Sequence, residues 1–306
     1  MKRFAAAFVA LMLCVGVVSS LAEVKKTEIV YAALTAEGKL KSIAIVNGFE
    51  ADAAQQVTDY GAYSSVTNLS GVEIIPLKEG TVELSLPAGR FYYQGDPAQP
   101  ALPWDIAISY RLDEADIAPQ ALSGAQGKLE ATIDVKVNQA LATYAAGSTL
   151  QVSVTLDGER CMQVQASKGT IASAGGNLAV TFVLLPGQEA TFDFSAQVND
   201  FAMQGIQFAG IRMTTDGQQY KKMVENVMQG NPMVQAIGPM MDNFISEMNG
   251  TPPVSFADAR NGQVERLQFV LMTEEILPLK PLVTEAPVAE EKEDTVISRF
   301  LALFGR

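Results

Sequence analysis

The sequence predicts a mostly β protein with two antiparallel β-domains, the second of which is an immunoglobulin-like sandwich. Short apolar runs bounded by turn signals recur at a spacing of roughly ten residues, which is typical of antiparallel sandwiches and barrels. No long helical pattern interrupts these runs before residue 216, so alternating α/β units are not expected. A short inserted helical hairpin and a disordered C-terminal tail complete the predicted architecture.

The first predicted domain, residues 23–115, begins with a β-hairpin. The runs 28–35 and 39–49 are rich in Ile, Val and Tyr, and Glu37-Gly38 between them supplies a residue suited to a tight turn. Four further strands are predicted, at residues 72–77, 81–86, 91–95 and 106–112.

The second predicted domain, residues 116–272, has the clearer strand signals. In the run 128–137 apolar residues alternate with polar ones, which buries one face of the strand and leaves the other in water. Each sheet buries only one face in this way, so two sheets are expected to pack face to face. Further strands are predicted at residues 150–156, 177–185, 189–198 and 264–272.

A helical hairpin is predicted at residues 216–250, where the apolar spacing changes to that of a helix. Six methionines lie in it: Met223, Met228, Met233, Met240, Met241 and Met248. Their flexible thioethers suit either packing against the sandwich or contact with a partner, and both interpretations stay open. No histidine or second cysteine reinforces them as a soft-metal site.

The C-terminal region divides into a linker and a short helix. Residues 273–294 hold seven acids and three prolines, which predicts a disordered, extended linker. Residues 295–306 predict an amphipathic docking helix that contacts the parent domain, a partner or, peripherally, a membrane surface. Its apolar side carries Val296, Ile297, Phe300, Leu301 and Phe304.

The chain begins with the pattern of a secretory signal peptide. Lys2 and Arg3 precede an apolar run at residues 4–18, and small residues before Ala22 fit cleavage after that position. The run is shorter than the ~20 residues needed to cross a bilayer. The mature protein is therefore expected to be exported and to be extracellular or associated with the cell envelope.

Composition excludes several classes of function. The chain has 22 Lys and Arg against 34 Asp and Glu, a formal charge of −12, which argues against nucleic acid as a partner. It has no histidine, so Ser-His-Asp chemistry and His-ligated metals are excluded. Cys161 is the one cysteine after the predicted cleavage site and is expected to be a buried strand thiol. We predict no cofactor and no metal.

Two sets of side chains are candidates for chemistry. Tyr92, Tyr93 and Trp104 form a candidate aromatic binding patch for a sugar, although alternate rings of such a set also fill sandwich cores. Nearby carboxylates are available for a glycosidase or, at Asp113 to Asp116, for calcium, although a solvated acidic turn is the simpler interpretation. The carboxylates are Asp96, Asp105, Asp113, Glu114 and Asp116.

Several segments of the chain resemble a known family. They read VYAALTAEGKLKSIAIVNGF, VTDYGAYSSV, YYQGDPAQPALPW, LSGAQGKLEATIDVKVN, LPGQEATFDFSAQVNDFAM and VERLQFVLMTEEI. These segments resemble the β-rich extracellular region of uncharacterised Gram-positive cell-envelope proteins related to phage-infection-protein-like membrane proteins with xxxLxxG heptad repeats. The resemblance implies a cell-envelope location and a non-enzymatic role.

The predicted function is that of an exported, non-enzymatic envelope β-sandwich protein that binds another envelope protein or a wall polymer. A carbohydrate-binding module is the alternative, and it requires Tyr92, Tyr93 and Trp104 on one exposed flat face. A glycoside hydrolase is the second alternative, and it requires two carboxylates about 5 to 9 Å apart in a cleft.

Overall fold

The computed structural model describes residues 23–212 and 252–278, and this part of the chain is mostly β, as the sequence predicts. The predicted signal peptide, hairpin 216–250 and C-terminal helix lie outside the described residues, as does the linker beyond residue 278. No helix among the described residues is long and apolar enough to cross a membrane.

The described residues form seventeen strands and one short α-helix. The strands are β1 (Val24–Leu34), β2 (Leu40–Ala51), β3 (Gln55–Tyr60), β4 (Tyr63–Asn68), β5 (Leu77–Lys78), β6 (Thr81–Leu86), β7 (Gly89–Pro97), β8 (Trp104–Leu112), β9 (Ala115–Ile117), β10 (Gly127–Val137), β11 (Thr149–Asp157), β12 (Cys161–Ala166), β13 (Thr170–Ala174), β14 (Asn177–Leu184), β15 (Ala190–Val198), β16 (Gln207–Arg212) and β17 (Arg266–Thr273). The helix is α1 (Ala142–Ala146), and the 3-10 turns are Pro119–Ala121, Gln139–Leu141 and Ala259–Asn261.

A nine-stranded sheet runs through the described chain in the order β13-β14-β11-β16-β17-β1-β2-β7-β4. Its strands come from both predicted domains, so the sheets do not divide at the boundary expected between residues 115 and 116. The junction is β17, which pairs with β16 antiparallel and with β1 parallel. This parallel pair departs from the antiparallel expectation. It is possible because a long segment of chain connects β1 to β17, whereas a short hairpin connection would force an antiparallel pair.

Two smaller sheets complete the fold: β12-β15-β10-β8-β9 and β3-β6-β5. The five-stranded sheet packs face to face on the nine-stranded sheet, which is the arrangement of a β-sandwich. Trp104 of β8 meets Phe269 of β17 edge-on at 5.3 Å between ring centroids, and Phe192 of β15 stacks on Phe182 of β14 at 4.9 Å. These aromatic contacts lie in the core between the sheets.

The first hairpin forms as predicted and its turn docks on the five-stranded sheet. Gly38 has φ +90, and a Cβ there would lie 2.8 Å from the carbonyl oxygen of Ile106. The Glu37 carbonyl accepts a hydrogen bond from the backbone N–H of Ile108 at 2.9 Å. A glycine is therefore required both by the left-handed conformation and by the close approach to β8.

Two sequence expectations about local structure are corrected. Residues 72–77 do not form a strand, since only Leu77–Lys78 pairs, and the preceding segment is a loop. A linker was expected from residue 273, but residues up to 276 belong to the fold: Ile276 is buried and forms a bridge with Met203. The apolar run 72–77 did not show whether anything covers it, and the acids and prolines counted over 273–294 as a whole hid the buried Ile276 near its start.

Candidate protein-binding site

Among the described residues, the two most exposed large apolar side chains lie in the loop between β4 and β5. Val72 is 97% exposed and Ile74 is 94% exposed. Leu69 in the same loop is 41% exposed, and Tyr92 on the neighbouring β7 is 39% exposed. We call these four residues the apolar patch. Single exposed apolar residues are ordinary, whereas several along one loop and the strand bonded to it make that loop a candidate interaction site.

Hydrogen bonds hold the loop of the apolar patch in place. The Asn68 side chain accepts from the Ser70 N–H at 2.9 Å and donates to the Glu73 carbonyl at 3.0 Å. The Leu69 N–H donates to the Tyr92 carbonyl at 3.0 Å, and the Tyr92 N–H donates to the Ser70 hydroxyl at 2.7 Å. The loop is thus fastened to β7 on one side and closed on itself on the other.

A buried isoleucine anchors the far end of the loop. Ile75 belongs to the hydrophobic core, whereas Ile74 beside it points into solvent. Burying an aliphatic side chain contributes about 1.5 to 3 kcal/mol, so Val72 and Ile74 add little to the stability of the described fold. Both side chains are available for contact with another molecule.

The apolar patch adjoins an open sheet edge. β4 is the last strand of the nine-stranded sheet and pairs only with β7 among the described strands. β4 is short and has an irregular register between Tyr63 and Ser65, but its sequence, YSSVTN, contains neither the charged residue nor the proline that also protect sheet edges. Such an edge offers backbone groups to an added strand of a partner.

The predicted aromatic binding patch is not formed. Tyr93 and Trp104 are buried, and only Tyr92 is exposed. Adjacent residues of a strand point to opposite faces, so Tyr92 and Tyr93 lie on opposite sides of β7. Tyr93 packs between Phe49 and Tyr63 in the core. This agrees with the alternative interpretation, in which alternate aromatic rings fill the core of the sandwich.

The candidate carboxylates do not converge on one cleft. Asp96 lies on β7 in the nine-stranded sheet, where it accepts a hydrogen bond from Gln94 at 2.6 Å. Asp105 lies on β8 in the five-stranded sheet, and Asp113 follows eight residues later, roughly 26 Å along the strand direction. Asp113 and Glu114 have φ of 48° and 68° and form the exposed turn between β8 and β9. No group of metal-holding side chains occurs among the described residues.

A polar groove of about 440 Å³ lies on the outer side of the five-stranded sheet. Its polar lining comes from Glu130, Thr132, Gln165, Ser167, Asp193 and Ser195. Lys128 bonds Glu130 and lowers the pKa of that carboxyl. Asp193 accepts a hydrogen bond from Ser167 at 2.8 Å. A glycosidase acid needs a raised pKa, so Glu130 does not suit that role.

The cysteine prediction is confirmed. Cys161 is buried at the start of β12. Burial raises the pKa of its thiol to about 11, with the negative charge of Asp157 adding to the effect. A thiol with this pKa is almost entirely protonated near neutral pH and is a poor nucleophile.

Sequence reasoning missed the apolar patch, since the run VEIIPL was interpreted as a strand. The available signals were Ser70-Gly71 before the run and Pro76 within it, both of which favour a loop. The predicted contact residues of the hairpin 216–250 and of the C-terminal helix lie outside the described residues.

No family model and no curated protein matches the chain. Among solved structures, the yeast delta-COP-I mu-homology domain is similar, with 10% sequence identity and a TM-score of 0.38, over 83% of this chain and 96% of that chain. The same yeast domain complexed with a Dsl1 WxWxV peptide is similar over the same shares, with 11% identity and a TM-score of 0.39. The likeness is one between β-rich folds, and no function is transferred from it.

Proposed function

We propose that the protein is an exported, non-enzymatic component of the cell envelope that binds another protein through the apolar patch. The observation that carries the proposal is the pair Val72 and Ile74, which are almost fully exposed on a loop fixed by hydrogen bonds. A loop fixed before binding loses little conformational entropy when a partner covers it. Export and envelope location rest on the signal pattern and on the family resemblance.

The chemistry of the apolar patch defines the partner. The two aliphatic side chains are complementary to an apolar groove on the partner. Glu73, which lies between them in the sequence, is complementary to a basic group at the rim of that groove. The formal charge of −12 disfavours nucleic acid and anionic lipid. The uncharged edge of β4 beside the apolar patch suits an extended partner segment that adds as a strand.

A site-specific cross-linking experiment identifies the partner. A photoreactive residue at position 72 of the full chain, expressed in the source cells, is expected to cross-link one envelope protein. The same residue at Ala107, which is exposed on the five-stranded sheet, is the control and is expected to give no such product. Equal cross-linking from both positions would contradict the proposal.

The identified protein is then purified and titrated against variants. Ile74→Ser is expected to weaken binding roughly tenfold to a hundredfold, because a buried aliphatic side chain is worth about 1.5 to 3 kcal/mol. Ile171→Ser is the matched control, since Ile171 is also an exposed isoleucine but lies on β13 at the other edge of the sheet. Equal loss from both variants, or no loss from either, would reject the apolar patch as the contact.

The remaining predictions of contact sites stay proposals. The methionines of the hairpin 216–250 and the apolar residues of 295–306 are further expected contacts, tested by deleting each segment and repeating the titration. Carbohydrate binding now depends on Tyr92 as the exposed ring of the predicted set. Binding on a glycan array that Tyr92→Ala abolishes would replace protein binding as the function.

A further inference from the structure

Three charged side chains meet inside the fold where β1 approaches β3. The Lys26 Nζ lies 2.9 Å from Glu28 Oε1 and 2.6 Å from Asp59 Oδ1. The exposed fractions of these three side chains are 9%, 0% and 3%. We call Lys26, Glu28 and Asp59 the buried triad. The sequence gives no hairpin or local motif that brings residue 26 to residue 59.

Each member of the buried triad has a further fixed contact. Glu28 accepts hydrogen bonds from the Ser255 hydroxyl and, at 2.6 Å, from the Phe256 N–H. Asp59 Oδ2 accepts a hydrogen bond from the Tyr93 hydroxyl. The Lys26 ammonium lies 5.7 Å from the centroid of the Phe49 ring. The triad is therefore held in one geometry and shielded from water.

The ionic form of the triad is costly to bury. Removing an ammonium and a carboxylate from water costs several kcal/mol per ion, and their attraction seldom returns more than this. Here two carboxyl groups share one ammonium, and burial raises the pKa of Asp59 although Lys26 opposes the rise. A buried carboxyl with a raised pKa and a fixed charged partner is a candidate for chemistry.

The Lys26 Nζ also lies close enough to Asp59 Cγ for a covalent bond to form between them. Since a carbon–oxygen bond is about 1.2 Å long, a nitrogen 2.6 Å from Oδ1 lies within about 4 Å of Asp59 Cγ. Reacting atoms in productive complexes lie about 3 to 3.5 Å apart, so a small adjustment brings Nζ into range.

We propose that Lys26 and Asp59 condense to an intramolecular amide bond, with Glu28 as the group that moves the protons. The cross-link joins β1 of the nine-stranded sheet to β3 of the three-stranded sheet. It closes a loop between residues 33 positions apart, and a cross-link of this kind stabilises a fold by restricting the unfolded chain. The chain lacks an intramolecular disulfide after the predicted cleavage, and the amide takes the same role.

The reaction balances without any oxidant or reductant. The Lys26 ammonium gives a proton to Glu28 and becomes a neutral amine, whose lone pair forms a bond to Asp59 Cγ. The Tyr93 hydroxyl donates to Oδ2 and stabilises the negative charge that develops there. The Cγ–Oδ1 bond breaks, and Oδ1 leaves as water with two protons taken from Lys26 through Glu28. One ammonium and one carboxylate thus give one amide and one water.

Mass spectrometry of the isolated full chain tests the proposal directly. Trypsin does not cleave after an amide-linked lysine, so a tryptic digest is expected to contain residues 26–39 joined to residues 42–78 as one species, with a mass one water below the sum of those two segments. Finding residues 27–39, released by cleavage after a free Lys26, together with residues 42–78 at its unmodified mass and no joined species would overturn the proposal and leave an ion pair. This measurement needs no variant and so does not depend on whether any variant folds.

Variants assign the roles of the three residues. Asp59→Asn is expected to form the same amide with release of ammonia instead of water, and Lys26→Arg is expected to form none. Glu28→Gln is expected to slow or abolish the reaction, and unchanged formation would overturn its role in proton transfer. Lys41→Arg is the matched control, because Lys41 contacts Glu274 on the surface, and it is expected to keep the Lys26–Asp59 cross-link.

Discussion

The apolar patch and the buried triad reverse the usual distribution of residues in opposite directions. The patch places Val72 and Ile74 in water, whereas the triad places Lys26, Glu28 and Asp59 in the interior. Exposing an aliphatic side chain forgoes a modest gain, but burying a charge demands fixed partners. The fold therefore tolerates changes at the patch and depends on every member of the triad.

The largest effect is expected from breaking the triad. Asp59→Ala leaves Lys26 and Glu28 buried without their third partner and without the proposed cross-link. The free energy of unfolding should fall by about 3 to 5 kcal/mol, measured by urea denaturation. Glu274→Ala removes the exposed partner of Lys41 and should change it by less than about 1 kcal/mol. Similar losses in the two variants would mean that burial does not distinguish these pairs.

A comparable loss is expected at the core aromatics of the sequence-predicted aromatic set. Trp104→Ala removes the ring that packs on Phe269 and should lower the free energy of unfolding by about 3 to 5 kcal/mol. Tyr92→Ala removes a partly exposed ring of the apolar patch and should lower it by less than about 1 kcal/mol. Thermal and urea denaturation of both variants decide whether the two rings belong to different environments.

Local sequence patterns predict some elements of this fold and not others. The alternation in residues 128–137 predicted both β10 and its buried face, and the Glu37-Gly38 turn predicted the first hairpin. Pairing between β1 and β17 was not predictable, because strands so far apart in the chain carry no local signal of their register. Mutual contacts at long range decide such pairings.

The two functional candidates were missed for related reasons. An apolar run such as 72–77 forms a buried strand only if another element of the fold packs on it. The sequence of the run does not show whether such an element exists. Lys26 and Glu28 continue the alternation that buries Val30, so the period of β1 did place them on the inner face. Their charge argued against burial, and only the fold supplies Asp59, Ser255 and Phe256 around them.

The titration of Asp59 gives a smaller effect with a definite sign. Burial raises the pKa of Asp59 and Lys26 lowers it, so Lys26→Met should leave a free Asp59 with a pKa raised further. A carboxyl whose folded pKa exceeds its unfolded value of about 3.9 contributes stability below that pH and loses it as the pH rises through the folded pKa.

The unfolding free energy of Lys26→Met should therefore decline from pH 4 upward, at no more than about 1.4 kcal/mol per pH unit. Urea denaturation between pH 4 and 8 measures this slope. The double variant Lys26→Met with Asp59→Asn cannot titrate at residue 59 and is the control. The wild-type chain should follow the double variant if the amide has formed, since Asp59 is then no longer an acid. A slope that is equal in Lys26→Met and the double variant would show that Asp59 does not titrate in this range.

The smallest effect on stability is expected from Ile74→Ala in the loop of the apolar patch, and the adjacent buried Ile75 supplies the comparison. Ile75→Ala removes a buried side chain and should cost about 2 to 5 kcal/mol, toward the lower end because Ile75 lies near the surface. Ile74→Ala removes a side chain that is almost fully exposed and should change the free energy of unfolding by no more than about 0.5 kcal/mol. The two variants have the same composition, so any difference between them arises from position alone. Ile74→Ala should weaken partner binding although the variant is as stable as the wild type. If Ile74→Ala instead destabilised the chain as strongly as Ile75→Ala, Ile74 would be covered by another part of the same chain, and the apolar patch would belong to the fold rather than to a partner.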